Sequence, residues 1–193
     1  MFLKPITIFQ TISQTGIMQN NQINTLKNSE FILEDFSPDR HLEWQIINDG
    51  VMGGISESDF RINTDHTADF MGMVSLENNG GFASTRALLK ELVTGNFEKI
   101  ILRVKGDGKK YSFRIRTDVN FDGVAYACNF LSIKDEWTEF EFSTNDFVPT
   151  FRGRTLHDVA PLDQTEIRQI GFLISNHQSG SFNLKIEWVK IRI

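Results

Sequence analysis

The chain has 193 residues, 40% of them hydrophobic, the size of one domain able to bury a core without covalent staples. A formal net charge of -5 lacks the basic footprint that tight, sequence-independent nucleic-acid binding requires, so DNA and RNA are set aside as partners. One cysteine, Cys128, excludes an intramolecular disulfide and any cysteine-cluster zinc site, and 17 Phe against 3 Trp and 2 Tyr suit a sandwich interior better than a partner-reading surface.

At the N-terminus Lys4, Pro5, Gln10 and Gln14 interrupt the apolar residues, which argues against a secretory signal. No Arg precedes Arg40, unlike an Arg-rich transit sequence, and no stretch reaches the ~18 apolar residues of a membrane span. A soluble, cytoplasmic protein is the expectation. From Gln19 to Ser29 the chain is rich in Asn, Gln and Thr, too polar to offset the entropy of ordering. Residues 1–30 therefore read as a polar arm and residues 31–193 as a single β-sandwich domain.

From Phe31 the dominant period is two. Ten strands are expected: Phe31 to Phe36, Ser58 to Ile62, Asp69 to Leu76, Gly81 to Leu88, Lys99 to Lys105, Tyr111 to Arg116, Val124 to Ile133, Trp137 to Phe142, Gln169 to Ser175, and a long last one from Phe182. Strict alternation, as in Tyr111-Ser-Phe113-Arg-Ile115-Arg116, means one buried and one wet face, the mark of antiparallel sheets. After Trp188 the alternation slips by one, which a bulge explains. Glycine-bearing turns at 77–81, 106–108 and 178–180 separate the strands. Helix is confined to a capping-box turn at Asp163-Gln-Thr-Glu166 and an alternative short helix over Ala87 to Val93. The fold class is all-β, a two-sheet sandwich.

Glycine-rich blocks carry the local chemistry. In Asn48-Asp49-Gly50-Val51-Met52-Gly53-Gly54, the glycines permit a sharp turn while Asn48 and Asp49 bond nearby backbone; alternatively, the loop lies at a rim where Asp49 offers a carboxylate to hydroxyls or a cation. Asn78-Asn79-Gly80-Gly81 admits the same pair of readings. Neither block has the spacing of a phosphate-binding loop. Arg114 and Arg116 share a strand face, and Arg152 and Arg154 would share one if extended, so each pair calls for a counter-anion, either an internal carboxylate or a partner's.

Trp44, NDGVMGGIS at 48–56, SLENNGGFASTR at 75–86, VKGDGKKYSFRIRT at 104–117, FRGR at 151–154 and IGFLIS at 170–175 together resemble the complex I intermediate-associated protein 30 family, in the family's order and over nearly all of Phe31 to Ile193. The resemblance implies a galactose-binding-domain-like jelly roll, similar to some carbohydrate-binding modules. It also implies an assembly-factor role that works through protein contact.

Candidate ligand-binding residues are Trp44, Asn48, Asp49, Asn79, Arg86, Tyr126, Arg152 and Arg154, from loop rims and an open sheet face. A non-catalytic interaction module is expected, with a protein partner such as a respiratory-complex subunit; the alternative is a lectin-like module for a saccharide or another polyhydroxylated molecule. No cofactor and no metal are expected, because His41, His66, His157 and His177 are dispersed and Cys128 has no basic neighbour to activate it. A serine hydrolase is disfavoured because Gly54-Ile-Ser56-Glu-Ser58 lacks the final glycine of the nucleophile elbow.

Overall fold

The alternating pattern builds two antiparallel sheets packed face to face. A computed structural model describes residues 4–7, as backbone, and residues 29–120 and 122–193. Of the polar arm expected over residues 1–30, residues 1–3 and 8–28 lie outside those described. Residues Lys4–Thr7 form β1, which runs parallel to β7 (Glu91–Thr94).

One sheet has seven strands. Its order is β13 (Arg154–Thr155), β12 (Val148–Phe151), β10 (Ala125–Leu131), β9 (Lys110–Arg116), β14 (Gln169–Ile174), β6 (Ala83–Leu88), β3 (Trp44–Asn48). The other runs β11 (Trp137–Phe142), β8 (Lys99–Lys105), β15 (Gly180–Arg192), β5 (Ala68–Val74), β4 (Glu57–Ile62), and β2 (Glu30–Glu34) joins it through β15. Between them lie Phe70, Phe113, Phe172, Leu102, Ile115 and Ile186, all fully buried. Side chains of this kind contribute about 1.5–3 kcal/mol each when taken from water. Ring pairs tie the layers, as between Phe130 and Phe140, 4.8 Å apart, from opposite sheets.

Expected and observed elements agree in type, with instructive local differences. The bulge in β15 falls at Glu187: Ile186 faces Val104 and Trp188 faces Arg103, leaving Glu187 as the extra residue. That insertion lets both Phe182-Leu184-Ile186 and Val189-Ile191 face inward. No helix forms over Ala87 to Val93. There β6 extends to Leu88 and β7 starts at Glu91, because Ala87, Leu89 and Val93 are all buried at even spacing, a strand's periodicity. FRGR is not extended either. Arg152 (φ 47) and Gly153 (φ 78) are the two loop residues of the β12–β13 hairpin, and two successive positive φ values suit a tight turn that follows strand twist. The expected one-turn helix is present as a 3-10 turn over Gln164–Glu166, capped by Asp163, which accepts from the Thr165 N–H at 2.9 Å. Strands β1, β3, β7, β12 and β13 were not foreseen; they are short, and β3 and β13 lie at the ends of the seven-stranded sheet.

Candidate functional site

β3 ends at Asn48, whose side-chain oxygen accepts from Ser58 Oγ across to the other sheet at 2.7 Å. The next residues, Asp49–Met52, form a 3-10 turn closed by Gly53 at φ 89. Asp49 points inward and is fully buried. Its carboxylate accepts from the Ser56 N–H at 2.9 Å and from Ser56 Oγ, then from the N–H groups of Gly81 at 2.6 Å and Phe82 at 3.2 Å. Burial alone would raise its pKa, but the Ser56, Gly81 and Phe82 hydrogen bonds outweigh it and hold the carboxyl below the usual aspartate value.

This one side chain accounts for both glycine blocks. A Cβ at Gly54 would sit 2.4 Å from Asp49 Cγ, and one at Gly80 would sit 2.7 Å from Asp49 Oδ2. Only glycine permits either approach. The loops 48–56 and 75–82 are thus clamped to each other through Asp49, and its oxygens serve the protein's own donors. Above the clamp the chain turns apolar side chains outward: Val51 is 74% exposed, Met52 63% and Ile55 50%. Leu76, at the base of the second loop, is also exposed.

Glu34 plays a comparable part at the edge of the fold. It is buried, and accepts from the N–H groups of Asp35 at 3.0 Å, Phe36 at 2.8 Å and Leu42 at 2.8 Å, and from Trp44 Nε1 at 2.9 Å. Trp44 accordingly faces the interior, stacked on Phe60 at 4.5 Å and against Phe172. Tyr126 is buried as well, with its hydroxyl donating to the Ala160 carbonyl at 3.1 Å. Asn79 is exposed in a left-handed turn conformation, φ 59. Arg152 is exposed, bridges Asp122 at 2.5 Å and lies over the Phe151 ring; Arg154 is exposed on β13.

Arg86 belongs to a different surface, the outer face of the seven-stranded sheet. Gln45, Arg86, Gly171, Arg114, Ala127 and Val148 lie side by side across β3, β6, β14, β9, β10 and β12. One step along, Leu88, Gln169 and Arg116 form the next row. Arg86, Arg114 and Arg116 therefore project from one face. Gln169 is buried and donates from Nε2 to the carbonyls of Asp118 at 2.8 Å and Asn120 at 3.1 Å, while Arg116 donates to the Gly123 carbonyl at 2.6 Å. These bonds hold Asp118, Asn120 and Gly123 as a wall beside Arg116. Burial, then the neighbouring charges of Arg116 and Arg86, push the Arg114 guanidinium down to about 10. Burial and Arg116 also lower Arg86, with Asp118 and Asp122 opposing. Burial lowers Arg116, opposed by the same two carboxylates.

The candidate residues thus fall into separate groups: Asn48, Asp49 and Asn79 at the clamped loops, Trp44 and Tyr126 in the interior, Arg86 on the open face, and Arg152 and Arg154 on the β12–β13 hairpin. Residues not singled out from sequence are the clamp's partner Ser56 and the apolar tip Val51 and Met52. The open-face glycine, Gly171, carried a signal, since a lone glycine inside a strand pattern marks a close backbone approach. Cys128 faces the core, and burial, then Asp146, push its thiol up to about 11. Among the described residues no group of three or more His, Cys, Asp or Glu side chains is placed to hold a metal ion. No helix among them is long and apolar enough to cross a membrane.

A family model described as complex I intermediate-associated protein 30 matches residues 34–186. The mouse protein named complex I intermediate-associated protein 30, mitochondrial, is 24% identical over 172 residues, which cover 77% of this chain and 52% of the mouse protein. The chain therefore spans about half the length of that relative. An uncharacterized protein of Schizosaccharomyces pombe is 28% identical over 170 residues, 77% of each chain. Among solved structures, a family 11 carbohydrate-binding module from Clostridium thermocellum, in complex with a β-1,3-1,4-mixed-linked tetrasaccharide, superposes with a TM-score of 0.64. It is 19% identical, with 84% of this chain and 95% of the module covered. The likeness shows the fold, a jelly-roll β-sandwich.

Proposed function

Because this chain belongs to the complex I intermediate-associated protein 30 family, we propose that it is a non-catalytic interaction module that acts by protein–protein contact, in the manner of an assembly factor, with the 48–56 loop as part of the contact surface. The observation that carries this reading is the combination of a locked base and an apolar tip. Asp49 and its four hydrogen bonds hold the loop in one conformation, and the side chains so displayed are Val51, Met52 and Ile55. A preordered loop loses little conformational entropy when a partner covers it, and Met adapts to irregular apolar surfaces. The non-catalytic part is supported by the saturation of Asp49 and by the buried, protonated thiol of Cys128. Family membership directs the search for the partner toward respiratory-complex subunits.

The test is co-purification from the source cell using the wild type and a Val51→Ser/Met52→Ser double variant. Both positions are exposed, so folding is retained. The proposal expects a discrete protein partner that the double variant recovers at a tenth of the wild-type level or less. Equal recovery by both would overturn the part assigned to the loop.

A lectin-like activity is the second reading, favoured by the jelly roll and by the polar outer face of the seven-stranded sheet, where Ser84 and Asn129 accompany the arginines. On this surface a sugar would be held by hydrogen bonds, since Trp44 and Tyr126 are turned inward. For compartment, the cytoplasm remains our proposal for this chain, whereas the mouse relative is named as mitochondrial.

A further inference from the structure

We infer that the outer face of the seven-stranded sheet carries a binding site for a small oxyanion-bearing ligand, held by Arg86, Arg114 and Arg116 around a notch whose floor is Gly171. This surface is separate from the 48–56 loop, and the inference does not depend on that loop's role.

The geometry comes from the strand order. Arg86 on β6 and Arg114 on β9 flank Gly171 on β14, each directly opposite it in register. Strands in a sheet are about 4.8 Å apart, so the two arginine backbones stand roughly 10 Å from each other across a residue with no side chain. Gly171 has to stay bare: a Cβ there would lie 2.5 Å from the Thr85 carbonyl oxygen and 3.0 Å from Arg86 Cβ. Arg116, one step along β9, closes the third side against the wall fixed by Gln169.

The electrostatics point to an anion. Guanidinium groups on one face repel, which favours an anion between them. Among the described residues, salt bridges engage Arg61, Arg103, Arg152, Arg168, Lys185, Lys190 and Arg192, whereas neither Arg114 nor Arg116 forms one. Arg114 Nε is buried and has no hydrogen-bond partner among those residues, and its Nη2 meets only Thr150 Oγ1 at 3.5 Å. A buried donor without an acceptor costs stability, and a ligand oxygen would satisfy it. The planar fork of arginine matches carboxylate and phosphate alike, so the shared chemistry is an oxygen-terminated anion. Asp118 and Asp122 act electrostatically on Arg86 and Arg116 from the rim. Their negative charge, with the net charge of -5, favours a small ligand with one anionic group over an extended polyanion.

The experiment follows the arginine Nε–Hε signals of the full chain by NMR during titration with galacturonate, citrate, inorganic phosphate and, as a neutral control, galactose. The expected result is a saturable shift of the Arg114 signal with at least one anion, weakened by added salt, and about a tenfold loss of affinity in Arg114→Gln and in Arg86→Gln. Response to galacturonate or citrate assigns a carboxylate ligand, and response to phosphate alone assigns a phosphate-bearing one. Should Arg114→Gln fail to fold, Arg86→Gln and Arg116→Gln carry the test. No shift with any anion, an equal shift with galactose, or unchanged affinity in the folded variants would each overturn the inference.

Discussion

Asp49 and Gly81, 32 residues apart in the chain, are joined by a 2.6 Å hydrogen bond from the Gly81 N–H to the Asp49 carboxylate. That bond turns two glycine-rich loops into one rigid unit. Its first consequence concerns stability. Asp49→Ala leaves the N–H groups of Ser56, Gly81 and Phe82 buried or half-buried without their acceptor, and destabilises the fold by about 2–4 kcal/mol. Urea denaturation of wild type and variant measures the difference, and a change below ~0.5 kcal/mol would show the clamp to be dispensable.

The glycines of the same block are not equivalent. A Cβ at Gly50 meets nothing within 4 Å, whereas at Gly54 it would collide with the Asp49 carboxylate at 2.4 Å. Gly50→Ala is therefore expected within ~0.5 kcal/mol of wild type, and Gly54→Ala to cost about 2 kcal/mol or more. Gly80→Ala joins the costly class, for the same carboxylate. Thermal melts of the three variants give the ranking directly.

Acid sensitivity has a defined sign. Because Asp49 titrates below its ordinary value of 3.8 in the folded protein, the unfolded chain takes up the proton first as pH falls. The contribution of Asp49 is fully present above that value and is lost as pH drops below it toward the folded pKa. A stability–pH profile of Asp49→Asn should be flatter than wild type in that acidic window and parallel to it near neutrality. Parallel profiles throughout would mean that the carboxylate's charge is not what the clamp uses.

On the open sheet face the expected sign is reversed. Burial and the charges of Arg116 and Arg86 disfavour the charged form of Arg114, so its positive charge opposes folding at neutral pH. The penalty persists while the group is charged in both states and diminishes only as pH rises through about 10. Arg114→Gln should raise the melting temperature by a few degrees. A marked fall would identify Arg114 as a structural residue.

How far the sequence foretold this depends on how local each feature is. Period two in Tyr111 to Arg116 and Phe182 to Trp188 was enough for strands and sandwich, because alternation is written residue by residue. Even the β15 bulge was visible to within a residue or two. The clamp was not legible: Asn48-Asp49 beside glycine signals a turn, but nothing adjacent says that Gly80 and Gly81 close on the same carboxylate. Arg114 and Arg116 could be placed on one face by spacing alone, yet adding Arg86 required knowing that β14 lies between β9 and β6. Trp44 is a candidate ligand-binding residue by sequence, and its inward phase on β3, opposite buried Ala87, could be read only once strand pairing was known.

The most direct measurement of the loop's role is site-specific photo-crosslinking in the source cell, with benzoylphenylalanine placed at Met52 in one protein and at Asn183, exposed on the outer face of the other sheet, in a second. A loop that docks a partner predicts one discrete protein adduct from position 52 and none of that mass from position 183. The same adduct from both positions, or none from position 52 in a folded protein, would contradict it.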